Sequence, residues 1–258
     1  MEPRLVLGEH VLSLDRPRIM GVVNVTPDSF SDGGTYLDPG AALAHGRELI
    51  AAGADILDVG GESTRPGATE VPVDEELERV LPVVEALAGL GVPISVDTRT
   101  ARVMREAVGA GATLINDVSA LEHDPEAMAA VAELEVPVCL MHMQGTPETM
   151  QEDPRYGDVV AEVRDYLADR ARRCLDAGVP ADRILVDPGI GFGKTLEHNL
   201  ALLNRLDSFA WLGYPLVVGA SRKSLVGKVL DRSVGERIYG DCAVVAWSVT
   251  HGADIVRV

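Results

Sequence analysis

Positive charge is scarce in this sequence. Its 258 residues include 23 lysines and arginines against 40 acidic residues, which gives a formal net charge of −17 at pH 7. Such a chain repels nucleic acids and anionic membranes, so neither is expected as a partner. Because only three lysines are present, any phosphate-bearing ligand must be held by a local group of cations against the overall field.

Cysteines and long apolar runs are also few. Cys139, Cys174 and Cys242 show no metal-binding spacing, and an odd count in a chain of this size is typical of buried, reduced thiols in the cytoplasm. No run of 18 apolar residues is present, which excludes a membrane-spanning helix of ordinary length. The N-terminal residues lack the basic segment and apolar core of a signal peptide. These absences predict a cytoplasmic protein.

What the sequence does contain is a repeat of short apolar runs and helical segments. The runs are apolar on both faces, as expected of parallel strands covered by helices. They span 19–26, 54–61, 93–98, 113–119, 137–142, 184–189, 215–221 and 254–258. Four of the intervening segments end in a glycine shortly before the next run, as helix C-caps do. Eight such repeats predict a (β/α)8 barrel, in one domain over residues 1–258.

The two ends of the chain carry separate predictions. Residues 1–17, with the segment LVLGEHVLSL, predict a short β-hairpin that covers the N-terminal end of the barrel. The sequence stops within the eighth strand, so the eighth helix is missing from it, which indicates a shortened or partial chain. A doubly wound open sheet is the alternative fold, and it is disfavoured because no dinucleotide fingerprint follows the first strand.

The segment DPGIGFGKT, residues 187–195, looks at first like a phosphate-binding loop. A P-loop requires glycine at position 188, where this sequence has proline, and the third glycine of a dinucleotide fingerprint arrives one residue early. The glycines are instead interpreted as backbone that turns sharply over the barrel rim, close to a ligand. On this interpretation Lys194 lies past the rim, in solvent.

Polar residues stand at the ends of the predicted strands, where barrel enzymes place their active sites. Each one alone is equally well explained as a helix cap or turn residue. One set offers acceptors and an amide for the edge of a planar heterocycle: Asp97, Asn116 and Asp187. A second set offers donors and positive charge for a polyanion: Thr64, Arg65, Lys223 and Arg257. Ser221 begins the run Ser-Arg-Lys-Ser that opens the seventh helix, where free N–H groups favour an anion.

Two loops that follow strands are long and rich in Gly, Ser, Thr and Pro. They span 24–36 and 60–72. We expect them to close over a substrate and exclude water, although ordinary surface loops are the alternative interpretation.

Six motifs together identify a family. In chain order they are NVTPDSFSDGG, GGESTRPG, VDT, INDVS, DPGIGFGK and SRK, and from about residue 18 onward they resemble the dihydropteroate synthases, folate-pathway enzymes blocked by sulfonamides. The resemblance implies a (β/α)8 barrel, usually a homodimer. It also implies a reaction with Mg²⁺ that joins 7,8-dihydropterin-6-ylmethyl diphosphate to 4-aminobenzoate, giving 7,8-dihydropteroate and pyrophosphate. The family's last strand usually continues Arg-Val-His-Asp, of which this sequence has Arg257 and Val258.

The resemblance also implies roles for individual residues. Asn24 would contact Mg²⁺ beside the diphosphate. Catalytic roles fall on Asp97, Asp187, Lys223 and Arg257. Substrate contacts fall on Thr64, Arg65, Asn116, Met141, Phe192, Ser221 and Ser224. His142 is expected to be structural.

Two other functions remain as alternatives. A pterin-binding methyltransferase that passes a methyl group to a corrinoid protein would also use carboxylates to bind the pterin. Such an enzyme has little need for Lys223, Ser224 and a loop that binds pyrophosphate. A catalytically silent, pterin-binding subunit would be favoured by missing site residues, whereas these motifs are intact up to the end of the chain.

Overall fold

The N-terminal hairpin forms as predicted. Strands β1 (Arg4–Leu7) and β2 (His10–Ser13) pair antiparallel across a turn in which Gly8 has φ +61°. Leu5 and Leu7 point to the same face and are fully buried. Their partners are apolar residues near the starts of the barrel strands, so the hairpin closes the N-terminal end of the barrel.

Eight parallel strands form a nearly closed barrel. The structure is a computed structural model that describes residues 4–26 and 39–258. The barrel strands are β3 (Arg18–Asn24), β4 (Ile56–Gly60), β5 (Ile94–Asp97), β6 (Leu114–Asp117), β7 (Val138–Met141), β8 (Ile184–Asp187), β9 (Val217–Val218) and β10 (Ile255–Arg257). They pair in the order β8-β7-β6-β5-β4-β3-β10-β9, and a bridge between Val186 and Leu216 joins the two edges. The (β/α)8 prediction is confirmed.

Helices lie between the strands. They are α1 (Pro39–Ala51), α2 (Val73–Ala88), α3 (Ala101–Gly109), α4 (Ala127–Leu134), α5 (Val159–Asp176), α6 (Leu196–Asn204), α7 (Ser224–Leu230) and α8 (Ile238–Thr250). Both α7 and α8 fall between β9 and β10. The four glycines predicted to end helices all have positive φ: Gly53, Gly111, Gly178 and Gly252. None of the described helices is long and apolar enough to cross a membrane.

The core is built from strands that are buried on both faces. Every residue of β4 and of β5 to β8 is buried, as the apolar character of these segments on both faces predicted. Side chains such as Leu57 and Ile115 are fully buried, and each contributes roughly 2–3 kcal/mol by leaving water. Cys139 and Cys174 are buried free thiols, but the same prediction is wrong for Cys242, which is exposed on α8 because that helix leaves part of its apolar surface uncovered.

Candidate active site

An arginine joins two buried carboxylates at the C-terminal end of the barrel. Arg257, on β10, donates from Nε to Asp58 Oδ2 at 2.7 Å and from Nη2 to Asp97 Oδ2 at 2.8 Å. The amide of Asn116 donates to the same Asp58 oxygen at 3.3 Å. The barrel thus brings three predicted site residues together, although they lie as much as 160 positions apart in the sequence.

Burial controls the charges of this group. It raises the pKa of Asp97 to about 7, an effect that Arg257 opposes and that Asp58 and Asp117 reinforce. Burial alone would lower the pKa of Arg257, but Asp58 and Asp97 outweigh it and raise that pKa. The guanidinium therefore stays charged, and it faces a carboxyl whose pKa is held above its usual value by burial and by neighbouring acids.

Asp58 is a site residue to which the sequence analysis gave no role. It is fully buried, and its Oδ1 has no hydrogen-bond partner within the described ranges. A buried acceptor without a donor is costly, so each case calls for an explanation such as a bound ligand. The signal was present, since Asp58 interrupts the otherwise apolar strand β4 and shares the inward face with Ile56.

The segment 187–195 passes over the rim on three glycines. Gly189, Gly191 and Gly193 have φ of +67°, +86° and +61°. A Cβ on Gly189 would lie 1.9 Å from the carbonyl oxygen of His142, so backbone meets backbone there. Asp187 Oδ1 accepts a hydrogen bond from the Gly189 N–H at 2.7 Å. As the sequence predicted, these positions need glycine, because the backbone has positive φ there and passes close to neighbouring backbone.

The side chain of Lys223 packs against segment 187–195. Its Nζ donates to the carbonyl of Ile190 and lies 4.5 Å from the centroid of the Phe192 ring. Burial lowers the pKa of Lys223 to about 8, and the charge of Asp187 opposes that shift. Burial also raises the pKa of Asp187, which Lys223 opposes in turn. These two predicted catalytic residues are therefore electrostatically coupled.

Lys194 is buried, and the prediction that it lies in solvent is wrong. Only 3% of it is exposed, and its Nζ lies 3.0 Å from His142 Nδ1 and donates to the Phe192 carbonyl at 2.8 Å. Burial lowers the pKa of Lys194 well below its usual value and, with Lys194 nearby, that of His142 to about 2. The glycine turn points carbonyls inward, and Lys194 supplies the donors they need. His142 packs edge-on against Tyr166, which suits its expected structural role.

Met141 and Asn24 end two further strands. Met141 is buried and stands opposite Asp187 in the pairing of β7 with β8. Asn24 is exposed at the end of β3. A Cβ on Gly60 would lie 3.9 Å from Asn24 Oδ1 and 3.8 Å from Asp97 Oδ2, so both oxygens flank one glycine. In the described ranges no three His, Cys, Asp or Glu residues form a metal-binding group.

Four further predicted residues lie outside the Arg257 group, on the loop after β4 and at the start of α7. Thr64 is half-buried and Arg65 exposed after β4, and Ser221 and Ser224 flank the start of α7. No hydrogen bond or ion pair joins any of the four to Arg257, Asp97 or Asn116 among residues 4–26 and 39–258. Of the first long loop, residues 27–36 lie outside the described residues.

Comparison with known proteins gives the same answer as the motifs. The sequence profile described as "Pterin binding enzyme" matches residues 20–258. The chain is 52% identical over 248 residues to the dihydropteroate synthase of Escherichia coli strain K12, covering 96% of this chain and 88% of that protein. The chain belongs to the dihydropteroate synthase family.

Solved structures of dihydropteroate synthases have the same fold. One of the Xanthomonas albilineans enzyme with 4-aminobenzoic acid aligns with a TM-score of 0.94 and 50% identity, over 100% of this chain and 92% of that chain. Another of that enzyme, in complex with 7,8-dihydropteroate, aligns with a TM-score of 0.89 and 47% identity, over 99% and 92%. The family predicted from six motifs is therefore confirmed, and the likeness extends to the N-terminal hairpin.

Proposed function

We propose that this chain joins 7,8-dihydropterin-6-ylmethyl diphosphate to 4-aminobenzoate, releasing 7,8-dihydropteroate and pyrophosphate. The observation that carries the proposal is the buried group of Asp58, Asp97, Asn116 and Arg257 at the mouth of a dihydropteroate synthase barrel. It combines acceptors for a polar ring with a permanent positive charge for a leaving anion.

The carboxylates form the ring side of the proposed site. Asp97, Asn116 and Asp187 would hold the pterin edge, since a carboxylate accepts two parallel hydrogen bonds from adjacent N–H donors. The unpaired Asp58 Oδ1 supports this assignment because a ligand donor would satisfy it. Lys223 would reach the carbonyl edge of the ring, and Met141 and Phe192 would pack near the ring and the aminobenzoate.

The cations and hydroxyls form the anion side. Arg257 uses Nε and Nη2 to hold Asp58 and Asp97, which leaves Nη1 without a hydrogen bond to any described residue. We assign that edge to the pyrophosphate or to stacking on the pterin. Thr64 and Arg65 would lie near pyrophosphate and aminobenzoate, and Ser221 and Ser224 near the aminobenzoate carboxylate at the start of α7.

Mg²⁺ is the cation we propose for the diphosphate. The amide oxygen of Asn24 is exposed at the end of β3 and lies on the same side of Gly60 as a carboxylate oxygen of Asp97. Hard oxygen donors in small number suit Mg²⁺, which completes its shell with substrate phosphates and water. When bound, the ion would neutralise charge on the departing pyrophosphate.

The chemistry is substitution at the exocyclic methylene carbon of the pterin. The carbon–oxygen bond to pyrophosphate breaks, the nitrogen of 4-aminobenzoate bonds to the carbon, and the amine loses a proton to solvent. Departure runs ahead of attack because Asp97 and Asp187 stabilise a cationic ring and Arg257 stabilises the leaving anion. A neutral aromatic amine needs no strong base, which suits the inaccessible proton site of His142, whose pKa is lowered to about 2.

A homodimer is the assembly we propose. Support comes from α7 and α8, which expose large apolar side chains: Val229, Leu230, Ile238, Tyr239 and Trp247. Grouped apolar exposure of this kind marks interaction surfaces. A single domain over residues 1–258 and a cytoplasmic location complete the proposal.

The deciding experiment is pyrophosphate release from the pterin diphosphate with Mg²⁺, with and without 4-aminobenzoate. We expect release only when 4-aminobenzoate is present. Asp187→Asn, which keeps the shape but removes the charge, is expected to weaken pterin diphosphate binding about tenfold or more, since a charged hydrogen bond contributes about 1.5–3 kcal/mol. Binding of the pterin diphosphate without turnover would favour the silent subunit, and methyl transfer to a corrinoid protein would favour the methyltransferase.

A further inference from the structure

A buried ion pair stands at the base of the loop that carries Thr64 and Arg65. Arg99, just after β5, donates from Nη2 to both carboxylate oxygens of Glu62 at 2.8 Å and from Nε to Oε2 at 3.2 Å. The two side chains are only 6% and 8% exposed. A planar guanidinium facing a carboxylate fixes direction as well as distance. Glu62, near the start of the loop, therefore has a defined orientation.

The same arginine also reaches the far end of the loop. The Val71 N–H donates to Glu62 Oε1 at 3.4 Å, which closes segment 62–71 on itself. Arg99 Nη1 lies 3.4 Å from His123 Nδ1, and His123 Nε2 lies 3.3 Å from Glu70 Oε1. Because a guanidinium only donates, Nδ1 accepts and Nε2 carries the proton toward Glu70. Glu62, Arg99, His123 and Glu70 thus form a connected chain from one end of the loop to the other, which we call the loop clamp.

Arg99 is buried and also borders a cavity. The cavity has a volume of about 200 Å³ and is lined by Arg99, His123, Met143, Thr146 and other residues. Asp97, two residues earlier, pairs with Arg257 instead. The two arginines therefore serve different parts of the mouth, because Arg257 pairs with carboxylates on the strands and Arg99 pairs with the loop.

We propose that Arg99 is a positioning residue that, through the loop clamp, fixes segment 62–71 so that Thr64 and Arg65 meet 4-aminobenzoate and the diphosphate. The inference rests on the proposed function. In this role Arg99 acts through the loop and not by direct contact with either substrate. Its removal leaves the ring side of the site in place and lets the loop lose its register, and misplacement by about 1 Å can cost on the order of a hundredfold in rate.

The kinetic test compares Arg99→Lys and Glu62→Gln. Each keeps the approximate size and removes the two-pronged contact. We expect the KM for 4-aminobenzoate to rise about tenfold in each, with a smaller fall in kcat, because the loop still closes but closes in a poorer position. The double variant should lose less than the sum of the two single variants, since both changes break the same Glu62–Arg99 contact.

A matched control uses a similarly buried arginine–carboxylate pair away from the loop clamp. Arg18, at the start of β3, donates from Nη1 to Asp55 Oδ1 at 3.2 Å, and the two side chains are only 11% and 10% exposed. Arg18→Lys should cost stability and leave the KM for 4-aminobenzoate within about twofold. An increase equal to that of Arg99→Lys would show a general effect of losing a buried arginine and would overturn the inference.

Two measurements need no turnover. Amide hydrogen exchange in segment 62–71 should accelerate in Arg99→Lys while the barrel strands keep their protection. Binding of 6-hydroxymethyl-7,8-dihydropterin, which lacks the diphosphate, should stay within about twofold, because it reports only on the ring side. The proposed role of Arg99 would be overturned if hydrogen exchange in segment 62–71 were unchanged in Arg99→Lys. It would also be overturned if the variant weakened binding of the hydroxymethylpterin and of 4-aminobenzoate equally. Wild-type protein without aminobenzoate-dependent release would instead overturn the proposed function, so the two failures are distinguishable.

Discussion

Gly189 leaves no room for a side chain at the barrel rim. Its φ is +67°, and an added Cβ would lie 1.9 Å from the carbonyl oxygen of His142. That oxygen belongs to the backbone after β7, so no rotamer change relieves the clash. Any larger residue must move the strand end that carries Asp187.

Gly189→Ala is therefore expected to lower the free energy of unfolding by about 2–5 kcal/mol, as the sum of left-handed strain and overpacking. Gly213→Ala is the matched control, because Gly213 has φ +78° and nothing within 4 Å of the added Cβ. The control should lose only about 1–2 kcal/mol. Urea unfolding of both variants measures the difference, and equal losses would contradict a steric role for the His142 carbonyl.

Position along the strands made some site residues predictable and left others hidden. Asp97, Asn116 and Asp187 were found because each lies at or next to the end of its strand, and parallel strands of a barrel end at one face. Lys194 was misjudged because one of its acceptors, the Phe192 carbonyl, belongs to the glycine turn and another, the His142 carbonyl, lies 52 positions away after β7. Arg99 escaped notice because its partner Glu62 lies 37 positions away, a pairing that no local pattern encodes.

Among the elements, α2 packs directly against the end of β4. Arg79 Nη1 donates to the Gly61 carbonyl at 2.8 Å, and a Cβ on Gly61 would lie 2.6 Å from Val80 Cγ2. This close packing buries Glu76, which is 2% exposed and whose Oε1 has no hydrogen-bond partner within the described ranges. Burial raises the pKa of Glu76 to about 7. The helix thus carries an acid that stays protonated below neutral pH.

The free energy of unfolding should depend on pH because of Glu76. A carboxyl whose pKa is raised on folding binds protons more tightly in the native state, so its contribution to the free energy of unfolding falls as pH rises from about 4.5 to about 7. Glu76→Gln removes this dependence, and the variant should gain stability relative to wild type by about 3 kcal/mol across that window.

Denaturant midpoints measured at pH 5 and pH 8 test the expectation. Glu78→Gln, at an exposed position of the same helix, is the control and should track wild type at both values. A Glu76→Gln variant that also runs parallel to wild type would show that Glu76 is ionised in the native state throughout.

Element boundaries were predicted less well than element types. The run 215–221 reads as a full strand, yet ladder pairing is limited to Val217–Val218. The flanking Leu216 makes an isolated bridge to Val186, and the chain then turns toward α7. An apolar run records burial, which extends beyond the residues whose backbone groups face a neighbouring strand. Burial and pairing therefore give different lengths for the same segment.

For the whole molecule, the exposed apolar residues of α7 and α8 make assembly testable. Tyr239 is 86% exposed, and Tyr239→Glu places a charge on the surface that the proposed homodimer would bury. We expect the mass from light scattering to fall from that of a dimer to that of a monomer, because an unpaired charge resists desolvation. Val11→Glu makes a comparable change on β2, in the hairpin at the N-terminal end of the barrel, and should leave the mass unchanged. If the Tyr239→Glu protein were still a dimer, the assignment of the interface to α7 and α8 would be wrong.

The global architecture was the most predictable level. Alternation of apolar runs and helical segments, with glycines of positive φ at the joints, specifies a parallel barrel without reference to any single contact. Closure of the sheet then fixes which strand ends become neighbours, and this is why a site assembled from β4, β5, β6 and β10 follows from the fold rather than from local sequence.

Because Cys242 is exposed on α8, the rate at which its thiol is alkylated can be used to measure association of the chains. Alkylation requires a thiolate, and burial raises the pKa of Cys174 to about 11 and that of Cys139 well above its usual value, so both stay unreactive. A maleimide reagent would thus consume one thiol per chain. If two chains associate through this helix, we expect the alkylation rate of Cys242 to fall as the protein concentration rises. The dependence of that rate on concentration would then give the association constant of the dimer.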